Sequence, residues 1–275
     1  MGGSTGAKYT SGEYNVFIGP AAGCCQTSGN KNIAIGYRSG PTNLASTATV
    51  NQYFGTAAGN RNTGNYNMFF GESAGQYATT GIFNTYFGYA AGRGTLGCYT
   101  GGCNTFIGKN TGCNIGSGNN NIAIGHDSGS PAGGLCTITT GSNIIIMGNS
   151  SHTVSCIQTA WSAASDIRDK CVYGEVPYGR TFLQNVNPIK YSFKDRETGE
   201  VTDDRKRYGF SAQEIASLED EPILVADPDS EKIGITHEYL LPILVNAVKE
   251  LDAENKELRE RLTALEEKVN RLLDS

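Results

Sequence analysis

The chain has 275 residues, a formal net charge of −5 and a mean hydropathy of −0.33, so it is long enough for two domains. No stretch approaches the roughly 20 apolar residues of a membrane span, and residues 1–8 lack the apolar core of a signal peptide. We therefore expect synthesis in a cytoplasm and no membrane insertion. Residues 1–150 carry six Lys or Arg and three Asp or Glu, against 16 and 24 in residues 151–275, so neither half is basic enough to predict a nucleic-acid partner.

Glycine divides the chain sharply, because 31 of the 36 glycines lie in residues 1–150. In that half one unit recurs: an Asn, two or three β-forming residues, a Gly, and a second Gly after two or three small residues. A short unit that recurs in this way predicts a solenoid, in which stacked coils bury an apolar face that no coil can bury alone. Seven copies begin at Asn15, Asn32, Asn51, Asn67, Asn84, Asn104 and Asn121, and a degenerate eighth spans Asn143 to Gly148.

Each coil is predicted to carry one short strand. In the first unit, strand alternation points Phe17 to one side and Val16 and Ile18 to the other, and both sides are apolar. One thin coil has only one interior, so the second apolar side predicts contact with neighbouring chains. A fibrous trimer is our preferred arrangement, while a dimer and a sheet-like packing remain open. The closing Gly fits a corner with positive φ, and the recurring Asn fits a hydrogen-bonded ladder.

The predicted rod resembles the trimeric β-roll and β-helix shafts of phage fibres and bacterial trimeric adhesins. It offers little for catalysis, because glycoside hydrolysis needs two carboxylates roughly 5–10 Å apart. Its few acidic residues, Glu13, Glu72 and Asp127, belong to distant coils, and we interpret them as exposed turn residues. Tyrosines can stack on sugar rings or pack between coils, and the candidates are Tyr53, Tyr66, Tyr77, Tyr86, Tyr89 and Tyr99.

No motif indicates a cofactor or a metal. Residues 92–97 match the glycine pattern of dinucleotide-binding loops, but no βαβ unit surrounds them. The eight cysteines contain no CxxC pair and are not interleaved with histidine. We therefore interpret them as small, reduced core residues rather than as metal ligands or disulfides.

The composition changes at the stretch from Ala164 to Lys170, after a junction at residues 149–164 that loses the repeat. Here Ser165 precedes Lys170 by five residues. A lysine kept neutral by removal from water can take the hydroxyl proton of a serine, and the oxygen can then attack a carbonyl. The nearest carbonyl is that of Ala164. The alternative is a serine helix cap beside a solvated lysine, and the spacing alone does not decide between the two.

After Lys170 the composition is that of an α+β domain. Strands are predicted at residues 187–193 and 207–211 around a turn at 197–200, followed by a short helix at 212–218. A second hairpin is predicted from residues 223–225 and 233–235, with its turn at 227–230.

From Glu238 onward a single helix with a coiled-coil seam is predicted, because its apolar residues recur in heptads. The lone Asn255 at a core position is usually a register device and often favours dimers, so it does not by itself establish a trimer. The seam consists of Leu241, Val248, Asn255, Leu262 and Val269 at one position and Leu244, Leu251, Leu258, Leu265 and Leu272 at the other.

Four ordered motifs carry a family resemblance: Ser165-Asp166-x-Arg168-x-Lys170, Asn187-Pro188-Ile189-x-Tyr191, Gly209-Phe210-x-Ala212-Gln213-Glu214, and the run from Tyr239 to Leu251. They resemble the C-terminal intramolecular chaperone and auto-processing domain of phage endosialidases, tail spikes and neck appendages, which also occurs in the eukaryotic myelin regulatory factor. Ser211 departs from the pattern, since the family tends to place an aliphatic residue there.

The resemblance implies a domain that trimerises, guides folding of the β-rich segment before it, and then cuts itself off with a Ser-Lys dyad. Carried over, it implies attack by Ser165 on the Ala164 carbonyl, Lys170 as the base, and release of residues 165–275. Asp166 and Arg168 match the motif, and we expect them to form a local ion pair or cap that supports the site.

Together these observations predict a mainly β, trimeric β-solenoid at residues 1–148, a junction at 149–164, an α+β chaperone domain at 165–238 and a coiled-coil helix at 239–275. We interpret the chain as a virus or phage fibre or tail-spike protein, assembled in the host cytoplasm as a homotrimer that joins other virion proteins. Its C-terminal domain is expected to cleave the Ala164–Ser165 bond. The alternatives are a permanently trimeric adhesin for a host receptor or glycan, without cleavage, and a polysaccharide-degrading spike.

Overall fold

The computed structural model describes residues 3–42, 45–95, 99–133, 136–225 and 233–274. The chain divides into two compact units, Met1–Cys156 and Ile157–Ser275, and each has its own buried apolar cluster. The finer domain boundaries at residues 148, 164 and 238 stay predictions.

The first unit is a parallel β-solenoid, as the repeat predicts. Eight three-residue strands stack in chain order, and each pairs in parallel with the next, middle residue opposite middle residue. The strands are β1 Val16–Ile18, β2 Ile33–Ile35, β3 Gln52–Phe54, β4 Met68–Phe70, β5 Thr85–Phe87, β6 Thr105–Ile107, β7 Ile122–Ile124 and β8 Ile145–Met147.

The middle residue of each strand points into the rod, which confirms the predicted alternation. Aromatic rings stack along this axis: the centroids of Phe69 and Tyr86 lie 4.9 Å apart, and those of Tyr86 and Phe106 lie 5.1 Å apart. The inward column consists of Phe17, Ala34, Tyr53, Phe69, Tyr86, Phe106, Ala123 and Ile146.

Glycine at the corner after each strand is required by both conformation and space. Gly88, after β5, has a φ of +135°, a region that side chains strongly disfavour. A Cβ built there would lie 2.5 Å from the carbonyl oxygen of Gly108 in the next coil. Any larger residue would therefore push neighbouring coils apart.

The recurring asparagines from Asn15 to Asn121 form the predicted ladder, and every rung from Asn32 to Asn121 is buried. Asn143 of the degenerate eighth copy is exposed and lies outside the ladder, because the Asn121 Oδ1 accepts the N–H of Ile144 at 3.0 Å.

Asn84 is a representative rung. Its backbone N–H donates to Asn67 Oδ1 at 3.0 Å, and its Nδ2 donates to Asn67 Oδ1 at 3.2 Å and to the Gly101 carbonyl at 3.0 Å. Its Oδ1 accepts from the backbone N–H of Asn104 at 2.9 Å. The Asn84 side chain thus satisfies two backbone groups on the side of the next rung, and the Asn67 side chain satisfies the backbone N–H of Asn84.

In its described residues, the second unit contains an antiparallel strand pair and three α-helices, with a core of Phe182, Ile215, Leu224, Val225, Leu240 and Ile243 among others. Ser211 caps a helix here, because its Oγ accepts the N–H of Glu214 at 3.3 Å. The elements are α1 Arg180–Gln184, β9 Ile189–Tyr191, β10 Arg207–Gly209, α2 Ala212–Leu218 and α3 Leu240–Leu273. They confirm the predicted first hairpin, short helix and long terminal helix.

The second hairpin prediction is wrong for the residues that the structure describes. Residues 223–225 and 233–235 form no strand, although the Thr236 N–H donates to the Leu224 carbonyl at 2.9 Å. Both segments instead supply apolar side chains to the core of this unit, and core packing overrides their β propensity. The predicted turn at 227–230 lies outside the described residues.

The interpretation of the cysteines as core residues holds for few of them. Cys25 is buried, and Cys24 and Cys113 are half-buried, whereas Cys103, Cys136, Cys156 and Cys171 are exposed. All seven are free thiols, and Cys98 lies outside the described residues. Within the described ranges, no helix is both long and apolar enough to cross a membrane.

Removing one rung of the ladder should destabilise the rod. Asn84→Ala leaves the Asn104 N–H and the Gly101 carbonyl buried without partners, at about 1–3 kcal/mol each. We expect the free energy of unfolding to fall by roughly 3 kcal/mol, seen as a lower urea midpoint by circular dichroism. Asn114→Ala, at a half-exposed position off the ladder, serves as the control; equal losses in the two variants would contradict a special role of the ladder.

Candidate functional site

Ser165 and Lys170 lie in hydrogen-bonding contact, with Lys170 Nζ 2.6 Å from Ser165 Oγ. A single 3-10 turn, Ile167–Asp169, folds the chain back between them. The Lys170 N–H closes the turn by donating to the Ile167 carbonyl at 3.2 Å. The turn therefore brings the Ser165 hydroxyl and the Lys170 amine, five positions apart in the sequence, into direct contact. Ala164, Ser165 and Lys170 are all exposed in the single chain.

Asp166 and Arg168 form a cap and an ion pair on this turn, and their role in supporting the site stays a prediction. Asp166 is the N-cap, and its Oδ1 accepts the backbone N–H of Arg168 at 2.9 Å. The Arg168 guanidinium also binds the carboxylate, with Nη2 2.5 Å from Oδ2. These hydrogen bonds hold the pKa of Asp166 below its usual value, so the carboxylate stays charged at neutral pH.

The segment that follows Lys170 is anchored on helix α3, a contact that the sequence analysis missed. Asn246 Nδ2 donates to the carbonyls of Val176 and Tyr178 at 3.1 and 3.2 Å. Glu250 Oε2 accepts the backbone N–H of Arg180, at the start of α1, at 2.8 Å. Both residues lie outside the heptad seam of α3, and this position was the sequence signal that could have indicated a contact with another part of the chain.

The six tyrosines for which the sequence leaves sugar stacking or packing between coils open divide into three groups. Tyr53, Tyr86 and Tyr99 lie inside the rod with at most 1% of their surface exposed, so they are not binding residues; burial raises the pKa of the Tyr53 and Tyr99 phenols. Tyr77 is half-buried beside Arg61. Tyr66 and Tyr89 are about half exposed.

The acidic residues of the rod do not form a carboxylate pair within one chain. Glu13, Glu72 and Asp127 belong to coils that are three stacking steps apart, which corresponds to roughly 14 Å between neighbours in this series. Glycoside hydrolysis needs a pair within about 10 Å. Asp127 is also engaged by Asn110 Nδ2 at 3.0 Å and by His126 at 3.2 Å.

Comparison with known protein families matches one part of the chain. Residues 165–222 match the family model described as chaperone of endosialidase, and the match begins at Ser165 itself. This segment is an intramolecular chaperone domain of that family. The chaperone domain contains three of the four motifs that carry the sequence resemblance, and only the motif from Tyr239 to Leu251 lies beyond the match. No curated protein and no solved structure matches the chain.

The turn at the start of the chaperone domain should respond to acid in a defined direction. Because its folded pKa is lowered, Asp166 stabilises the turn at neutral pH, and this contribution is lost as the pH falls through that pKa. Arg168→Gln should move the loss to higher pH, towards the ordinary aspartate value. A carboxyl-carbon NMR titration measures the shift, and Arg259→Gln on α3 serves as the control; an unchanged Asp166 titration in Arg168→Gln would refute the assignment.

Proposed function

We propose that this protein is a phage or virus fibre or tail-spike subunit whose chaperone domain cuts itself from the β-solenoid at the Ala164–Ser165 bond. The observation that carries the proposal is the 2.6 Å contact between Lys170 Nζ and Ser165 Oγ, located at the first residue of the family match. A serine beside a lysine, immediately after the bond to be cut, is the arrangement that self-cleavage requires.

The reaction divides into acyl transfer and hydrolysis. Lys170, in its neutral form, takes the Ser165 hydroxyl proton while Oγ attacks the Ala164 carbonyl carbon. The bond from that carbon to the Ser165 nitrogen breaks, the nitrogen takes the proton back from Lys170, and an ester joins the two parts. Water then hydrolyses the ester. The products are a carboxylate at Ala164 and a free amino terminus at Ser165.

A lysine acts as a base only where it is shielded from water, and Lys170 is exposed in the single chain. We infer that neighbouring copies supply the shielding, so that cleavage follows assembly. This order suits a fibre, because the guide is removed only after the rod has formed. The rod then stays folded kinetically, since refolding without its guide is slow.

The homotrimer is supported by an apolar stripe along the outer face of the rod. The third residue of every strand is apolar and faces outward, and neighbouring rings stack: the centroids of Phe70 and Phe87 lie 4.8 Å apart. Continuous exposed apolar surface of this kind marks an interface. We call this surface the outer stripe; it consists of Ile18, Ile35, Phe54, Phe70, Phe87, Ile107, Ile124 and Met147.

Helix α3 carries a second apolar surface, which also supports a homotrimer. Its heptad residues are exposed in the single chain, among them Leu244 at 46%, Leu258 at 51% and Leu265 at 58%. A coiled coil would bury this seam and bring the C-terminal ends of the chains together at high effective concentration. The stacked strands of the rod could then pair in the correct register.

A second candidate function, binding of a host receptor or glycan by the rod, has one observation in its favour. The rings of Tyr66 and Phe83 stack with centroids 4.9 Å apart and planes 9° apart, and both side chains are about half exposed. Stacked aromatic faces bind sugar rings. This function is compatible with a self-cleaved fibre and with a permanently trimeric adhesin.

Intact mass tests the self-cleavage directly. Wild-type protein should yield fragments that end at Ala164 and begin at Ser165, whereas Ser165→Ala and Lys170→Ala should remain whole because nucleophile or base is missing. Ser162→Ala and Lys190→Ala are matched controls that should cleave as the wild type does. A wild-type trimer that persists at full length would overturn self-cleavage in favour of the adhesin.

A charge in the outer stripe should weaken assembly of the rod. Phe70→Asp would bury a carboxylate in each copy of the trimer, at a cost of several kcal/mol each, so we expect its trimers to dissociate at higher protein concentration than those of the wild type, measured by analytical ultracentrifugation. Tyr89→Asp is the matched control, because Tyr89 is also about half exposed and stands in a row that already carries Glu72 and Lys109. Trimers of Phe70→Asp as stable as those of the wild type would exclude the outer stripe as the interface.

A further inference from the structure

The first three turns of helix α3 have two different surfaces. The seam residues Leu241, Leu244 and Val248 are between 46% and 62% exposed, whereas Leu240, Ile243 and Ala247 are at most 6% exposed and pack into the C-terminal unit. The same rigid helix therefore contacts the core of its own unit on one side and presents an apolar seam on the other. A movement of the helix at its seam therefore also moves its inner side, the surface that packs into the C-terminal unit.

The inner side of α3 holds the chain through polar contacts as well as packing. Asn246 binds the carbonyls of Val176 and Tyr178, Glu250 accepts the Arg180 N–H, and Glu254 pairs with the Arg180 guanidinium. Gly179 lies directly against this contact: a Cβ at that position would be 2.0 Å from Glu250 Oε1. The sequence thus keeps a glycine where the Glu250 carboxylate must approach the backbone.

Residues 171–178, which we call the strap, connect this anchor to the dyad lysine. The first residues of the strap are exposed, with Val172 at 68% and Tyr173 at 97%, whereas Tyr178 at its end packs on Phe182 with ring centroids 4.6 Å apart. The strap lines a cavity of about 910 Å³ together with residues of the 219–224 segment and the start of α3, and the Tyr178 hydroxyl accepts the Asp220 N–H at 2.7 Å. Within the described residues, the first hydrogen bonds that the strap makes after Lys170 are those of Val176 and Tyr178 with Asn246.

We propose that Asn246 and Glu250 are positioning residues for the Ser165–Lys170 pair. They fix the far end of the strap on α3 and so limit how far the dyad lysine can move from the helix whose seam we propose assembles the chains. Neither residue touches the reacting atoms. This inference rests on the proposed self-cleavage and adds to it a physical link from coiled-coil assembly to the cleavage rate.

The test compares cleavage rates of full-length protein, measured by intact mass over time on isolated trimers. Glu250→Ala removes the acceptor for the Arg180 N–H, and we expect cleavage to slow roughly 10- to 100-fold, as misplacement of a catalytic group does. Glu250→Gln should recover most of the rate, because its amide oxygen still accepts that N–H. Glu257→Ala is the matched control, since Glu257 occupies the same heptad position one heptad later, and it should cleave at the wild-type rate.

A second variant changes the residue that follows the strap and leaves α3 unchanged. Gly179→Ala displaces the Glu250 carboxylate and should slow cleavage to a similar extent. Because both changes break one contact, the double variant should be no slower than the slower single variant. Gly179→Ala alone also tests the positioning role if Glu250→Ala fails to form trimers.

The outcomes separate the two levels of the proposal. If the wild type cleaves and trimeric Glu250→Ala and Gly179→Ala cleave equally fast, the positioning role is wrong while self-cleavage stands. If Glu250→Gln cleaves as slowly as Glu250→Ala, the hydrogen bond accepted from the Arg180 N–H does not control the cleavage rate, and the positioning role is also wrong. If the wild type does not cleave, self-cleavage fails, and the positioning role fails with it.

Discussion

The structure depends above all on the stacking of identical backbone units in fixed register. Each ladder asparagine, such as Asn84, binds the side chain of the preceding asparagine and satisfies a backbone N–H and a carbonyl on the side of the next one, and each corner glycine allows adjacent coils to approach closely. Since every coil repeats the same three-residue strand, the middle residue always faces inward and the residues on either side always face outward. One constraint thus produces both the filled interior and the apolar outer stripe.

This architecture creates a folding problem that the C-terminal unit is suited to solve. Parallel strands pair across about 16 to 23 residues of intervening chain, and such non-local pairing forms slowly. A one-residue slip would turn each strand inside out. An α-helical seam forms from local contacts and aligns chain ends early. A chaperone domain that follows the rod and precedes such a helix has the right position for this task.

The residues proposed to carry the chemistry are close together in the sequence, whereas the contacts proposed to control it join distant parts of the chain. One 3-10 turn with its Asp166 cap brings Ser165 to Lys170, so six consecutive residues are sufficient for the contact. The strap then ties this turn to α3 through Asn246. Because a lysine needs shelter from water to act as a base, a pair that is exposed in one chain is well suited to wait for assembly.

The sequence by itself determined the features that rest on periodicity and short spacing: the solenoid, the asparagine ladder, the first hairpin, helix α3 and the motif that contains Ser165 and Lys170. Tyr53 and Tyr86 occupy the same inward position as Phe17, so their burial was implied by the alternation, and it agrees with the packing role that the sequence analysis gave as one of two alternatives. The tertiary structure alone decided the burial of Tyr99, the loss of the second hairpin to core packing, and the contact of Glu250 with Arg180 across 70 residues. Such contacts follow from how separate elements pack, and no local pattern of residues encodes that packing.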